Sequence, residues 1–215
     1  MWAAGLAAGS ATVAWWRIVG PGFSRLAGGV ALLVGVPAAL SGGSSFAWIG
    51  CGLAAFVIGT ARSPRLAAGA GIAAAIAFGV AVSDVNPLAT ISGAVFLGAV
   101  STEMMLGHWY LVDPQLPWWG LRRLALIAGV GAILDFAVLI GLGVLPWSGG
   151  DTAVGVGFVL LAVTTVVLMA AVISALGEEG YPAVMSATGL SYLALLTAIG
   201  AAVVGRLLIE GPVLS

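Results

Sequence analysis

Two carboxylic acids, Glu103 and Asp135, lie inside long apolar stretches of a chain that is only 7% charged and 61% hydrophobic. A charge at the centre of a bilayer costs about 2.5–3.5 kcal/mol on insertion scales. Such acids persist when they face a cavity, pair with another group or stay protonated. Because desolvation disfavours the charged form of an acid, we expect both groups to be neutral at pH 7.

The single histidine, His108, follows Glu103 by five residues in the same apolar stretch. Imidazole changes its charge near neutral pH and also forms hydrogen bonds in its neutral form. Three roles stay open for it: a hydrogen-bond partner for a quinone with Trp109 and Tyr110 stacking on the ring, a proton relay, or an anchor at the membrane interface. Tyr192, in the last apolar stretch, is a further candidate for lining a ligand pocket, or a hydrogen-bond partner of a neighbouring helix.

The depths of Asp135, Glu103 and His108 descend in an order that fits a proton path. At about 1.5 Å per residue, Glu103 lies about 15 Å from Asp113, where the path would open to the cytoplasm. By the same count Asp135 lies about 20 Å from Arg122. Glu103 and His108 do not share a helix face, so a water molecule or a neighbouring helix would have to connect them. In the structural alternative both acids are protonated and form hydrogen bonds across the fifth and sixth helices.

Motifs for metal sites and for independent catalysis are absent from the sequence. Met104 and His108 share a helix face and could offer two soft ligands to copper, but two ligands do not make a site, and we predict no metal. The single Cys51 excludes an internal disulfide and a CxxCH haem attachment. Without a P-loop, GxSxG or HExxH motif, and without lysine for a Schiff base, the chain is not expected to be an enzyme on its own. Quinone and lipid are its candidate ligands, neither of them covalently bound.

The composition predicts an all-α integral membrane protein, because a mean hydropathy of +1.19 is outside the range of soluble domains. A spanning helix needs about 20 apolar residues. Residues 2–19 are expected to be a retained span rather than a signal peptide, since the first positive charge, Arg17, follows the apolar core. A bundle of such apolar spans is expected to contact lipid. No nucleic-acid partner is expected. Eight segments qualify as spans, roughly 2–19, 25–41, 45–61, 65–83, 88–112, 121–145, 153–176 and 183–209.

The positions of the arginines predict the orientation of these spans. Arginines flank the first, third and fifth connections, which the positive-inside rule places in the cytoplasm. Both termini are then outside. The basic residues are all arginine and the chain holds 33 glycines, a composition typical of a GC-rich bacterium, so we expect the bacterial cytoplasmic membrane. The flanking arginines are Arg17, Arg25, Arg62, Arg65, Arg122 and Arg123.

Residues 1–86 and 87–215 resemble one another and predict two repeats of four helices each. An even number of spans in each half keeps both halves in the same orientation, which makes the repeat parallel. The matching segments keep their order along the chain. They are 16–21 with 109–114, 25–27 with 123–125, and the pair Pro64 and Gly71 with Pro182 and Gly189.

The difference between the halves locates the predicted function in the second one, because Ser10 and Pro37 occupy the positions that match Glu103 and Asp135. A bundle without a redox centre or nucleotide site suggests a membrane subunit of a respiratory or other energy-converting electron-transfer complex. It would contribute a quinone-adjacent or proton-transfer site, with other membrane or redox subunits as partners. The alternatives are a small stand-alone proton-coupled transporter, and a structural or assembly subunit without chemistry of its own.

Overall fold

The computed structural model describes residues 1–41, 44–82, 86–113, 115–144, 152–178 and 180–210, without the side chain of Glu210. Within these ranges the chain forms α-helices and no strands, which confirms the prediction of an all-helical protein. The helices are α1 (Trp2–Trp16), α2 (Pro21–Leu40), α3 (Ser45–Gly59), α4 (Pro64–Val80), α5 (Pro87–Val112), α6 (Trp119–Gly141), α7 (Thr152–Ala175) and α8 (Tyr181–Glu210).

Among these helices, α2, α5, α6, α7 and α8 are long and apolar enough to cross a bilayer. Helices α3 and α4 are shorter and apolar, and α1 has 15 residues. Large apolar side chains cover the outside of the molecule. For example, Leu33 is 74% exposed and Leu196 is 68% exposed. The long apolar helices and the apolar surface give the chain the character of a multi-pass helical membrane protein.

Proline and asparagine residues define where several helices begin. A proline at the first helical position loses no hydrogen bond and presets the backbone angle. At the start of α5 the side chain of Asn86 accepts hydrogen bonds from the backbone N–H groups of Leu88 and Ala89, at 3.0 and 3.2 Å. Helix α5 ends at Val112, the end of the predicted span 88–112. The prolines that begin helices are Pro21, Pro64 and Pro87.

Each half of the chain forms a four-helix unit with the same order of neighbours. In the first unit α1, α2, α3 and α4 pack in sequence and α4 returns to α1. In the second unit α5, α6, α7 and α8 do the same, and α8 returns to α5. The two units meet chiefly through α1 and α5, the first helix of each.

Helices α1 and α5 cross through small residues that bring their backbones together. A Cβ atom on Gly5 would lie 2.8 Å from the Cα of Gly98, and one on Gly9 would lie 2.9 Å from the Cβ of Thr102. Both pairs are 93 positions apart, so the two helices run parallel and in register. Small residues four apart allow this close approach in membranes, where the hydrophobic effect does not drive helix association.

The tryptophan at the end of each first helix packs on the opposite unit. Trp16 lies over Gly120, whose Cβ would be 3.6 Å from the indole ring. Trp109 lies over Gly22, whose Cβ would be 2.7 Å from the indole ring. The two contacts are therefore reciprocal, because each tryptophan packs on a glycine of the other unit.

Candidate functional site

Glu103 occupies the middle of α5 and is completely buried, with 0% of its surface exposed. Neither carboxyl oxygen has a hydrogen-bond partner among the described residues. Ser191 of α8 is also fully buried and interacts with this carboxyl group. However, the Ser191 hydroxyl donates its hydrogen to the carbonyl of Ala187 at 2.8 Å. The acid therefore faces a hydroxyl whose hydrogen is directed elsewhere.

A second hydroxyl without a partner lies close by along the same pair of helices. Thr188 is one helical turn before Ser191, and its Oγ1 has no hydrogen-bond partner among the described residues. It packs against Gly107, one turn after Glu103, where an added Cβ would lie 2.8 Å from the Thr188 hydroxyl. Around Glu103 and Gly107 the α5–α8 interface thus gathers buried oxygen atoms, and the arginine of α8, Arg206, pairs with Asp135 instead of Glu103. Because a buried charge without a partner is very costly, Glu103 fits this environment as a neutral acid.

Asp135 has a different environment, in which its charge is compensated. Arg206 of α8 donates to both carboxyl oxygens, at 2.7 and 3.0 Å, and Ser92 of α5 donates to one of them at 2.6 Å. The guanidinium group also donates to the carbonyl oxygens of Ala89 and Ala202, at 2.8 and 3.3 Å. This cluster ties α5, α6 and α8 together.

The structure does not bring the two acids together. Asp135 is level with Ser92, which precedes Glu103 by eleven residues, or about 16 Å along the helix axis. The cluster also depends on a glycine, because a Cβ on Gly93 would lie 2.8 Å from the Cζ atom of Arg206. Asp135 therefore belongs to an ion pair near the N-terminal end of α5, separate from the Glu103 pocket.

His108 and Tyr192 form a polar pair on the outer surface of the same two helices. The Tyr192 hydroxyl is hydrogen-bonded to Nδ1 of His108 at 3.3 Å. His108 is exposed and Tyr192 is 45% exposed, whereas the neighbouring Ser191 is fully buried. The pair therefore lies on the exposed side of α5 and α8, whereas Glu103 and Ser191 lie on the buried side of the same helices.

Trp109 and Tyr110, the predicted stacking partners of a quinone, have contacts elsewhere. The ring of Trp109 packs edge-on against Phe23 of the first unit, with 6.1 Å between ring centroids. Tyr110 is 1% exposed, and its hydroxyl donates to the carbonyl of Pro117. Neither ring is gathered with Tyr192 around His108. Within the described ranges, no three histidine, cysteine or acidic side chains gather to hold a metal ion.

A groove of about 310 Å³ runs beside the crossing of α1 and α5. Its described lining comes from α1, α4, α5 and α6, and Thr12 and Thr90 supply the polar side chains of that lining. Among these residues none is titratable, so they offer no acid–base chemistry.

Arg206 and Ser92 are the site residues that the sequence analysis missed. Arg206 lies inside the apolar stretch 183–209, and that position was the available signal, because an arginine within a span needs a partner. Nothing in the sequence distinguishes Ser92 from the other serines of the chain.

Comparisons with protein families, with curated proteins and with solved structures find no match to this chain. Its class therefore comes from the helices and the site: a multi-pass helical membrane protein with an unpaired acid and a separate ion pair in one of its two units.

Proposed function

We propose that this chain is a membrane-embedded subunit of a larger energy-converting complex and contributes a proton-exchange site centred on Glu103. One observation carries the proposal: the carboxyl group is fully buried, and among the described residues it has neither an ion-pair partner nor a hydrogen-bond partner. An intramembrane acid in this state is kept for its chemistry more readily than for its stability, since it contributes no bond to the fold.

The proton would reach Glu103 from the end of α5 that carries His108 and Asp113. His108 is hydrogen-bonded to Tyr192. Tyr192 follows Ser191, the buried residue beside Glu103, in the sequence of α8. At the opposite end the ion pair of Asp135 and Arg206 spans three helices. In this proposal Asp135 closes the far end of the path and is not a relay group.

The surface pair of His108 and Tyr192 is the proposed contact for a quinone or a partner subunit. Polar groups that face lipid are costly, and a quinone carbonyl or a partner's side chain would satisfy them. Trp109 and Tyr110 would support this surface from behind and would not stack on the ligand.

We also propose that all eight helices span the membrane as two parallel repeats, 1–86 and 87–215, with both termini outside. Support comes from the shared order of helix neighbours and from the register of α1 against α5. Positions matched in the sequence, Trp16 with Trp109, make reciprocal contacts with the opposite unit.

The first experiment follows the protonation of Glu103 by infrared spectroscopy of the protein in lipid nanodiscs at acidic and alkaline pH. The expected result is a carboxylic-acid carbonyl band that disappears at alkaline pH and is missing from Glu103→Gln. The matched control is Glu178→Gln, which removes an exposed acid after α7 and should leave the band unchanged. A band that stays at every pH would contradict proton exchange and leave the acid a structural role.

Membership of a complex is tested by purification from the native membrane in mild detergent. Redox subunits that co-purify in a fixed ratio are the expected result. A protein that purifies alone in an active state would remove the complex from the proposal.

A second candidate, a stand-alone proton-coupled transporter, is favoured by the two units that meet at α1 and α5. Transporters built from repeats place their sites near the midplane, between the repeats. Glu103 instead faces α8 of its own unit, which is why this candidate comes second. The test is proton flux into vesicles that contain only this protein. Flux that is lost in Glu103→Gln would make the transporter the first candidate and the complex subunit the second.

A further inference from the structure

We infer that Ser191 and Thr188 are positioning residues that solvate the ionised form of Glu103, with the Ser191 hydroxyl exchanging one acceptor for another when the acid loses its proton. This inference rests on the proposed function, because it requires Glu103 to titrate. It adds two residues of α8 to the three proton-transfer candidates that the sequence indicated, Glu103, Asp135 and His108.

The direction of the Ser191 hydroxyl defines the protonated state. Its hydrogen goes to the carbonyl of Ala187, so Oγ presents lone pairs to the carboxyl group of Glu103. A neutral acid fits this arrangement, because an uncharged carboxyl group does not require a donor to compensate a buried charge. A carboxylate does not fit it, because none of the described residues donates a hydrogen bond to the Glu103 oxygens in the observed arrangement.

Loss of the proton changes which groups donate. The O–H bond of Glu103 breaks, the proton passes to a water molecule, and the electron pair stays on the carboxylate. The Ser191 hydroxyl then rotates from Ala187 to the carboxylate. The Ala187 carbonyl retains the helical hydrogen bond from the Ser191 backbone N–H, so the rotation leaves no buried carbonyl unpaired.

Thr188 supplies the second donor. Its Oγ1 is buried and has no hydrogen-bond partner among the described residues, so it is not held by a backbone carbonyl as Ser191 is. Such a group is an anomaly in a neutral site, because buried hydroxyls are ordinarily satisfied. One turn of helix separates it from Ser191, which places both hydroxyls on the face that meets α5 around Glu103 and Gly107.

The charged groups of the surrounding helices do not take the place of these hydroxyls as partners of the ionised Glu103. Helix α1 has no charged side chain in its span, and the acid of α6, Asp135, is paired with the arginine of α8 about 16 Å away along the axis. His108 and Tyr192 are the nearest titratable groups along α5 and α8, and they hydrogen-bond to each other. The two hydroxyls of α8 are therefore available to donate hydrogen bonds to the carboxylate.

The first unit shows what the same positions look like without an acid. By the spacing of Pro64 and Gly71 to Pro182 and Gly189, Thr188 corresponds to Ala70 and Ser191 corresponds to Ala73. Glu103 corresponds to Ser10, whose hydroxyl donates within its own helix to Ala7 at 3.0 Å. The second unit therefore has both the acid on its first helix and the two hydroxyls on its last helix, whereas the matching positions of the first unit have neither.

The experiment measures the Glu103 carbonyl band, identified by its absence in Glu103→Gln, in nanodiscs with α8 variants. Hydrogen bonds to a charged group contribute about 1.5–3 kcal/mol. Ser191→Ala should therefore lower the ratio of ionised to protonated Glu103 about tenfold or more at a pH where the native acid is partly ionised. The carbonyl frequency of the protonated acid should shift as well. Thr188→Val should reduce ionisation without that frequency shift.

Two controls separate positioning from folding. Ser191→Thr keeps a hydroxyl and should restore both the ionised fraction and the frequency, while Ser186→Ala removes an exposed serine of the same helix and should change neither. A band that titrates in the native protein and is unchanged in Ser191→Ala would overturn the inference and leave proton exchange intact. A native band that does not titrate would overturn both.

Discussion

The two four-helix units share an order of helices but differ in what holds those helices together. In residues 1–82 the contacts come from small residues and aromatic rings: Gly35 and Gly50 lie against the ring of Phe78, and Gly71 lies against α1. In residues 86–210 an ion pair, hydroxyl groups and a buried acid occupy the interfaces of α5 with α6 and α8. The described contacts of the first unit are therefore mainly apolar, and those of the second unit include buried polar groups.

This difference indicates which polar groups serve the fold. The described residues of the first unit include no acid, so the packing of its four helices does not require one. The Asp135 cluster forms bonds and can contribute stability, whereas Glu103 forms none with the described residues. Within the second unit we therefore assign stability to Asp135 and chemistry to Glu103.

Breaking the ion pair should give the largest loss of stability. Arg206→Ala leaves Asp135 buried without its partner, and a broken buried pair costs about 3–5 kcal/mol. The double variant Asp135→Asn with Arg206→Gln should recover part of this loss, because no unpaired charge remains. Thermal unfolding in detergent measures both effects. Arg25→Gln, at an exposed arginine of the first unit, is the control, and an equal loss there would remove the distinction between the units.

Separating the units should have the next largest effect. Gly98→Val places side-chain atoms against the backbone of Gly5, and overpacking of this kind costs about 1–3 kcal/mol or more. Gly5→Val should have a similar effect, since the two positions face each other. Gly52→Val in α3 adds the same side chain where an added Cβ has nothing within 4 Å. Equal unfolding temperatures for Gly98→Val and Gly52→Val would contradict the close crossing of α1 and α5.

A smaller loss is expected at the end of α5. Tyr110→Phe removes the hydroxyl that donates to Pro117 and leaves the buried ring in place. The free energy of unfolding should fall by about 0.5–1.5 kcal/mol, the net contribution of one hydrogen bond. Denaturant unfolding of the two proteins side by side measures it. No change in unfolding would mean that this bond does not help to fix the connection between α5 and α6.

The smallest effect is expected at Ser10, the counterpart of Glu103. Ser10→Ala removes a hydroxyl that bonds only within α1, so the free energy of unfolding should change by less than about 0.5 kcal/mol. Any activity of the complex should be unchanged, whereas Glu103→Gln should abolish it. If the two variants reduce activity equally, the asymmetry between the units has no functional meaning.

Much of the helical architecture could be predicted from the sequence, because apolar length and proline positions define helices locally. Span 121–145, for example, corresponds to α6, Trp119–Gly141. The burial of Glu103 was predicted for the same reason. The partner of Asp135 was not, because Arg206 is 71 residues away and helix neighbours are set by tertiary packing. Nor could the sequence show that Trp109 and Tyr110 face away from His108.

The account's central claim, that Glu103 exchanges a proton, is tested most directly by counting protons. Potentiometric titration of the protein in nanodiscs, compared with Glu103→Gln, gives the protons released over the pH range in which both stay folded. The account predicts that the native protein releases one more proton than the variant. Identical titration curves would mean that Glu103 never ionises, and would contradict the claim.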